Sequence, residues 1–301
     1  MAAASEQWQT TELQGLPELE GNFQLRYWML TPATPGAPAG TAAAAEPIAR
    51  AVLLIHGLGL TATNFDQPEM RGLLRFGTVV IPDLVGCGGS AAPRGDAHYT
   101  MQAQASVVLQ LLGRLRIADE ILLVGHSMGG PIALAVAESC AAAAVAAAAE
   151  NGGSTLPRVR CVLYSEPNVD GGDCFGSRLA MKDGVDLSTV EDPAKAAKAA
   201  TCRHLVAESD SGELLGRMQA VRAGANAGSS GGSGGSGTAA GVPSLVLVGE
   251  KNRGQLTSEA ALLAAGFPVK WIAGSGHSQH VDNPADFYAA AAELFDAAVA
   301  S

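Results

Sequence analysis

The stretch Val124-Gly125-His126-Ser127-Met128-Gly129-Gly130 constrains this chain more than any other. It contains the pattern G-x-S-x-G. Before it runs Glu120-Ile121-Leu122-Leu123-Val124, a short apolar segment that reads as a buried strand. After it, Pro131 to Ala137 reads as an alanine-rich helix. A strand that turns sharply into a helix lifts one side chain clear of its neighbours. Glycine is needed on both sides, because a Cβ there would collide with the tight turn. Ser127 is therefore a candidate nucleophile on an elbow. The pattern alone is weak in a chain with 37 glycines, where composition gives on the order of 0.3 chance matches. Gly228 to Gly232 around Ser230 and Gly231 to Gly235 around Ser233 match it too. Neither has a strand before it or a helix after it, so only Ser127 has the required setting.

Strand and helix signals alternate from about residue 20 onward, which implies a mostly parallel sheet covered on both faces. Strands are expected at Asn22 to Leu30, Ala51 to Ile55, Phe76 to Ile81, Ile121 to Val124, Val159 to Ser165, Val242 to Gly249 and Val269 to Ile272. Helical spacing runs from Tyr99 to Leu115, and an amphipathic helix closes the chain from Pro284 to Ala300. Thr31 to Pro47, rich in Pro, Ala and Gly, reads as an exposed loop. Between the strands ending near Ser165 and starting near Val242 lie roughly 75 residues, far more than an ordinary connection. This segment reads as an inserted lid. Its first part is helical, and its end, 224–241, is Gly/Ser low-complexity and expected to be disordered. The expected division is a core of residues 1–167, an insertion of 168–241 and a second core part of 242–301.

A chain of 301 residues with 48% apolar residues can bury a large core. Its net charge of −10 argues against a nucleic-acid partner, which needs clustered Lys and Arg. No apolar run reads as a membrane span. Ile132 to Ala149 is dominated by alanine and interrupted by Glu138, so it reads as a helix packed on the sheet. The N-terminal stretch carries Glu6, Glu12, Glu18 and Glu20 and no base, unlike secretory or organellar leaders. A cytoplasmic location is the expectation. Five cysteines without a C-x-x-C pair indicate neither a disulfide framework nor a zinc site, and each reads as a small buried hydrophobe.

A serine nucleophile needs a base. His277, in Gly274-Ser275-Gly276-His277-Ser278-Gln279-His280, follows the last expected strand and is the best candidate. Its neighbour His280 reads as structural. A second cluster, His56-Gly57-Leu58-Gly59, follows a buried strand. Its glycines let main-chain N–H groups approach a developing oxyanion, with Leu58 and Met128 as the expected donors. His56 reads as a brace for that loop. A third cluster, Pro82-Asp83-Leu84-Val85-Gly86-Cys87-Gly88-Gly89-Ser90, also follows a strand.

With these motifs in this order, the chain resembles the α/β-hydrolase fold proteins that carry a helical cap. The likeness rests on H-G-x-G at His56, D-x-x-G-x-G-x-S at Asp83, G-H-S-M-G-G at Gly125, and G-x-G-H with D-N-P from Gly274 to Pro284. The family order Ser, acid, His fits Ser127 and His277. The family usually places its acid after the strand that follows the cap, as G-x-x-D. Here the sequence reads Gly249-Glu250-Lys251-Asn252, with an amide where the aspartate is expected. Some relatives take the acid from the preceding strand end, where this chain has Glu166 in Tyr164-Ser165-Glu166-Pro167-Asn168. Glu166 is the preferred acid. Glu250, Asp170 and Asp173 are alternatives, and a site with no acid is the remaining one.

Dehalogenases and epoxide hydrolases of this superfamily use a carboxylate nucleophile, which Ser127 excludes. A serine fits acyl transfer to water on a small or medium ester-like substrate, with no cofactor and no metal. Two other readings compete: a binding protein without turnover, motivated by Asn252, and a lyase on the same scaffold. The expected partner is a small-molecule substrate, and oligomeric state is not legible. In the insertion, Arg178, Lys182, Arg203 and His204 are candidates to meet an anion, although isolated bases there ordinarily face water. Phe175, Leu179 and Met181 are candidates to line an apolar pocket or to pack the lid.

Overall fold

The structure, a computed structural model, describes residues 5–14, 22–33, 47–150, 152–181, 190–224 and 241–301. Its strands are β1 (Ser5–Gln14), β2 (Asn22–Thr31), β3 (Ile48–Ile55), β4 (Thr78–Pro82), β5 (Ile117–His126), β6 (Arg158–Ser165), β7 (Ser244–Gly249) and β8 (Val269–Ile272). They form one sheet in the order β1-β2-β4-β3-β5-β6-β7-β8. The β1–β2 and β2–β4 pairs are antiparallel and the rest parallel.

The inner strands are apolar along their length because both faces are covered. On β3, Leu53 and Ile55 join one core cluster while Val52 and Leu54 join the other. On β5, Ile121 and Leu123 face the first cluster, and Leu122 and Val124 the second. Successive side chains point to opposite faces, so a continuous apolar run serves two cores at once. The first face is covered by α1 (Met101–Arg114) and α2 (Gly129–Ala149). Between β6 and β7 lie α3 (Phe175–Met181), α4 (Pro193–Asp210) and α5 (Leu214–Ala223). The short α6 (Glu259–Ala264) and α7 (Gln279–Asp282) precede α8 (Pro284–Ala300). On the second face, Phe295 of α8 meets Phe76 edge-on.

Three differences from the sequence reading have physical causes. Strand β1 was not expected, since its residues are polar and show no apolar run. It is an edge strand that owes its place to a continuous register with β2, from Ser5 opposite Thr31 to Gln14 opposite Asn22. Phe76 does not begin β4. It ends a 3-10 segment (Pro68–Phe76), and Gly77 at φ 146° turns the chain into Thr78. Helix α2 is long and apolar enough, by composition, to cross a membrane. Its first half, Gly129 to Ala137, is buried in the core, and Glu138 pairs with Arg217 of α5 at 2.6 Å. The Gly/Ser-rich stretch, with Ser230 and Ser233, falls outside the described residues except at its ends.

Two histidines stand deep in the core behind the sheet's C-terminal edge. His126 ends β5 and His280 lies on α7, and both are fully buried. Their rings are 4.6 Å apart, and His280 also packs 4.7 Å from Phe65. His126 Nε2 donates to the carbonyl of His277 at 2.9 Å. His126 Nδ1 and both ring nitrogens of His280 have no protein hydrogen-bond partner among the described residues. Burial, followed by the neighbouring imidazoles, holds His126 well below its ordinary 6.5. The same causes lower His280 to about 4. Between these values the unfolded chain takes up protons that the folded core refuses. Stability is therefore full above pH 6.5 and falls as the pH drops toward 4. His280 alone contributes a loss of about 2 kcal/mol between pH 7 and pH 5, a range above most carboxylate titration. Urea unfolding at the two pH values checks this, and an unchanged midpoint would contradict it.

Candidate active site

Parallel register carries the ends of neighbouring strands to one edge of the sheet. His126 lies opposite Ser165, and Ser165 opposite Leu247. The next residues continue the ladder: Ser127 N–H donates to Ser165 O and Glu166 N–H to Leu247 O, both at 2.8 Å. Ser127 and Glu166 thus stand side by side just past β5 and β6. Both have positive φ, 53° and 41°, and they are two of the three non-glycine residues with positive φ among those described. Such backbone strain persists only where the surroundings enforce it, and it gathers at functional sites.

Close packing explains the glycines of the elbow. A Cβ on Gly125 would strike Gly129 O, and one on Gly129 would strike Ile55 O. A Cβ on Gly57 would come within 3.0 Å of Ser127 Cβ, so the loop after β3 lies directly against the serine. That loop is held by its own polar residues. His56 Nδ1 donates to Gly57 O at 2.8 Å, and its Nε2 accepts from Leu84 N–H at 3.0 Å, so it braces the loop as expected. The fully buried Asp83 accepts from Ala62 N–H, Gly89 N–H and the guanidinium of Arg26. The Asp83 motif is therefore structural. The N–H groups of Leu58 and Met128 are donated to no main-chain acceptor among the described residues, which leaves them available to an incoming oxyanion.

Glu166, 1% exposed, is where the loops meet. Its Oε2 accepts from His277 Nδ1 at 2.7 Å. Its Oε1 accepts from Gly249 N–H at 2.8 Å. The Asn252 side-chain amide donates to both oxygens, at 3.0 and 2.9 Å. A bare buried carboxylate is costly, and these donors supply the compensation. The bond from Nδ1 fixes the His277 tautomer and leaves Nε2 free to act as a base. The amide at position 252 thus has a positive role. An aspartate there would face Glu166 with a second negative charge, whereas asparagine offers it hydrogens.

The other acids are engaged elsewhere. Glu250 accepts from Gly274 N–H at 2.9 Å, and Asp170 from Gly172 N–H at 2.8 Å. Asp173 accepts from Val169 N–H at 3.0 Å. None is hydrogen-bonded to His277. Ser127, Glu166, His277, Asn252 and Leu58 line one cavity of about 480 Å³, roofed by Phe175 of α3 and Lys198 of α4. The bases expected to meet an anion are occupied: Arg178 pairs with Asp210, and both Arg203 and His204 with Asp96. Lys182 and the side chain of Met181 lie outside the described residues. Phe175 does line the cavity, while Leu179 is exposed.

Asn168 was not expected at the site. Its Nδ2 donates to Asp173 O at 2.9 Å, which turns its Oδ1 toward Ser127, whose hydroxyl donates to it at 3.1 Å. The clue was its place two residues after Glu166 in the same loop. The cysteines follow the bland reading: Cys140, Cys161, Cys174 and Cys202 are buried, and Cys87 is half-buried.

The model of the Alpha/beta hydrolase family matches residues 52–291. Among curated proteins, the chain is 42% identical over 84 residues to an uncharacterised protein of Mycobacterium tuberculosis, covering 28% of this chain and 24% of that one. It is 38% identical over 94 residues to Lipase 1 of Psychrobacter immobilis, covering 31% of this chain and 27% of the lipase. The chain thus matches about a quarter of the length of these relatives. Among solved structures, a thermophilic esterase from Thermogutta terrifontis superposes with a TM-score of 0.62 at 19% identity, over 96% of this chain and 99% of the esterase. At that identity the likeness speaks for the fold.

Proposed function

This chain belongs to the alpha/beta hydrolase family, and on that basis we propose that it is a serine hydrolase cleaving a small or medium carboxylic ester or thioester through an acyl-enzyme on Ser127. The observation that carries the reading is the 2.7 Å bond between Glu166 and His277 Nδ1, in a cavity that Ser127 also lines. An oriented imidazole sharing a cavity with a strained serine is an arrangement suited to activating a hydroxyl. The lipase and esterase among the similar proteins support the same class of reaction.

In this mechanism the Ser127 side chain turns about χ1 from Asn168 toward His277 Nε2, which takes its proton as Oγ bonds to the substrate carbonyl carbon. The carbonyl oxygen becomes an oxyanion held by the N–H groups of Leu58 and Met128. Glu166 stabilises the imidazolium. His277 returns the proton to the leaving alcohol or thiol as its bond to carbon breaks. Water repeats the sequence on the acyl-enzyme, releasing the acid and restoring Ser127. Helices α3 and α4, which bring Phe175 and Lys198 to the cavity, act as a lid over this chemistry. A binder would have no need of the Glu166–His277 bond.

A fluorophosphonate probe tests the assignment. The folded protein is expected to label at Ser127 and the Ser127→Ala variant to remain unlabelled. Absence of labelling in folded wild type, beside an active control enzyme, would remove the reading. Glu166→Gln is expected to lower kcat/KM by about 10⁴, as the equivalent change does in a serine protease. Equal activity of the two would assign the acid elsewhere.

Asn252 gives a sharper check on Glu166. Hydrogen bonds to a charged group are worth about 1.5–3 kcal/mol. Asn252→Asp removes two of them and sets a like charge beside the acid. We expect kcat/KM at pH 7 to fall at least about tenfold, even though the change restores the family's usual residue. An unchanged or raised activity would show that position 252 can serve as the acid.

A further inference from the structure

Next to the active-site cavity lies a second, smaller one of about 200 Å³, here called the side branch. The two share Leu58 and Lys198. The branch is walled by the loop after β3, by Gly86 to Gly88 after β4, and by Ala194 and Thr201 of α4. Lys198 is its one charged lining residue. The Cys87 thiol also faces it, but burial pushes that group up to about 12, so it stays neutral. Lys198 makes no ion pair or hydrogen bond among the described residues. Its Nζ lies 3.4 Å from where a Gly59 Cβ would stand, so the ammonium rests against the turn that offers the Leu58 N–H.

In the main cavity, the two acids are committed to donors of the fold. Glu166 holds Gly249, Asn252 and His277. Asp173 takes the N–H groups of Val169, Asp170 and Ser258. Neither is hydrogen-bonded to Lys198. A cation without a partner, at the junction of the reaction cavity and a branch that contains no acid, lacks only an anion from outside.

We propose that Lys198 is a specificity-determining residue that binds a carboxylate at the end of the substrate's acyl arm. The inference rests on the serine-hydrolase reading above and names its substrate class: esters or thioesters of dicarboxylic acids. The acyl side follows from the chemistry. The leaving group must lie beside His277 to receive its proton, and neither His277 nor Ser127 lines the branch. The arm that passes Leu58 toward Lys198 is therefore the one that stays on the enzyme. Water then releases a dicarboxylate.

The test compares 4-nitrophenyl hexanoate with 4-nitrophenyl hydrogen adipate, whose acyl arms differ in a terminal carboxylate. The readout is the ratio of kcat/KM for adipate to that for hexanoate, in wild type and in Lys198→Gln, Lys198→Glu and Lys198→Arg. The ratio is expected to fall about fivefold in Lys198→Gln, the scale of a single solvent-reached ion pair. It should fall further in Lys198→Glu and recover in Lys198→Arg. It should also shrink in wild type as salt is raised. A ratio that does not move across the variants overturns the proposal. Hexanoate cleavage that disappears in Ser127→Ala keeps the hydrolase reading separate from this result. Should neither ester be cleaved, the hydrolase reading fails. Adipate dianion then decides the anion site by thermal shift: raising Tm in wild type but not in Lys198→Gln supports it, and no difference between the two overturns it.

Discussion

One buried carboxylate fastens three separate loops at the edge of the sheet. Glu166 sits after β6 and accepts hydrogens from the end of β7, from the turn after β7 and from the loop after β8. Its burial makes these bonds obligatory, since an uncompensated charge at that depth would cost far more than any one of them returns. The position of the imidazole follows from this. His277 is half-exposed on its side chain and lies on a glycine-bordered loop. It is held on one side by the acid and on the other, through its carbonyl, by the buried ring of His126.

Parallel pairing makes the meeting possible. Strands of equal sense end at the same edge, so residues far apart in sequence, such as Ser127 and Glu166, become neighbours without any local signal. The ladder bonds of Ser127 and Glu166 extend the sheet by one more rung, and both residues adopt positive φ there. Glycines then let the remaining pieces close in. Gly57 admits the loop after β3 to the serine, and a Cβ on Gly249 would strike the carbonyl of Gly276, one residue before His277.

The two asparagines in this region work differently. Asn252 gives hydrogens to an acid and so makes its charge tolerable. Asn168 accepts a hydrogen bond from the Ser127 hydroxyl and so points it away from the acid's partner. The same side chain type supplies a donor in one place and an acceptor in the other, because a neighbouring carbonyl, that of Asp173, takes the Asn168 amide hydrogen. Composition carries no trace of that division.

The sequence by itself determined the alternating elements, the two-faced sheet, the elbow at Ser127, the glycine turn at Leu58 and the histidine loop. Each of these is written in contiguous residues, as apolar runs bounded by glycine, and local sterics allow them few other shapes. Edge strand β1 escaped because its place depends on pairing with β2 and not on its own pattern. The tertiary structure alone decided that Glu166 faces His277 while Glu250, Asp170 and Asp173 turn elsewhere, that Asn252 is a donor, and that Lys198, unpaired among the described residues, lines two neighbouring cavities. Those choices depend on which side chains converge at one edge and how their hydrogens are shared, and distances across strands are not encoded in any neighbouring stretch of chain.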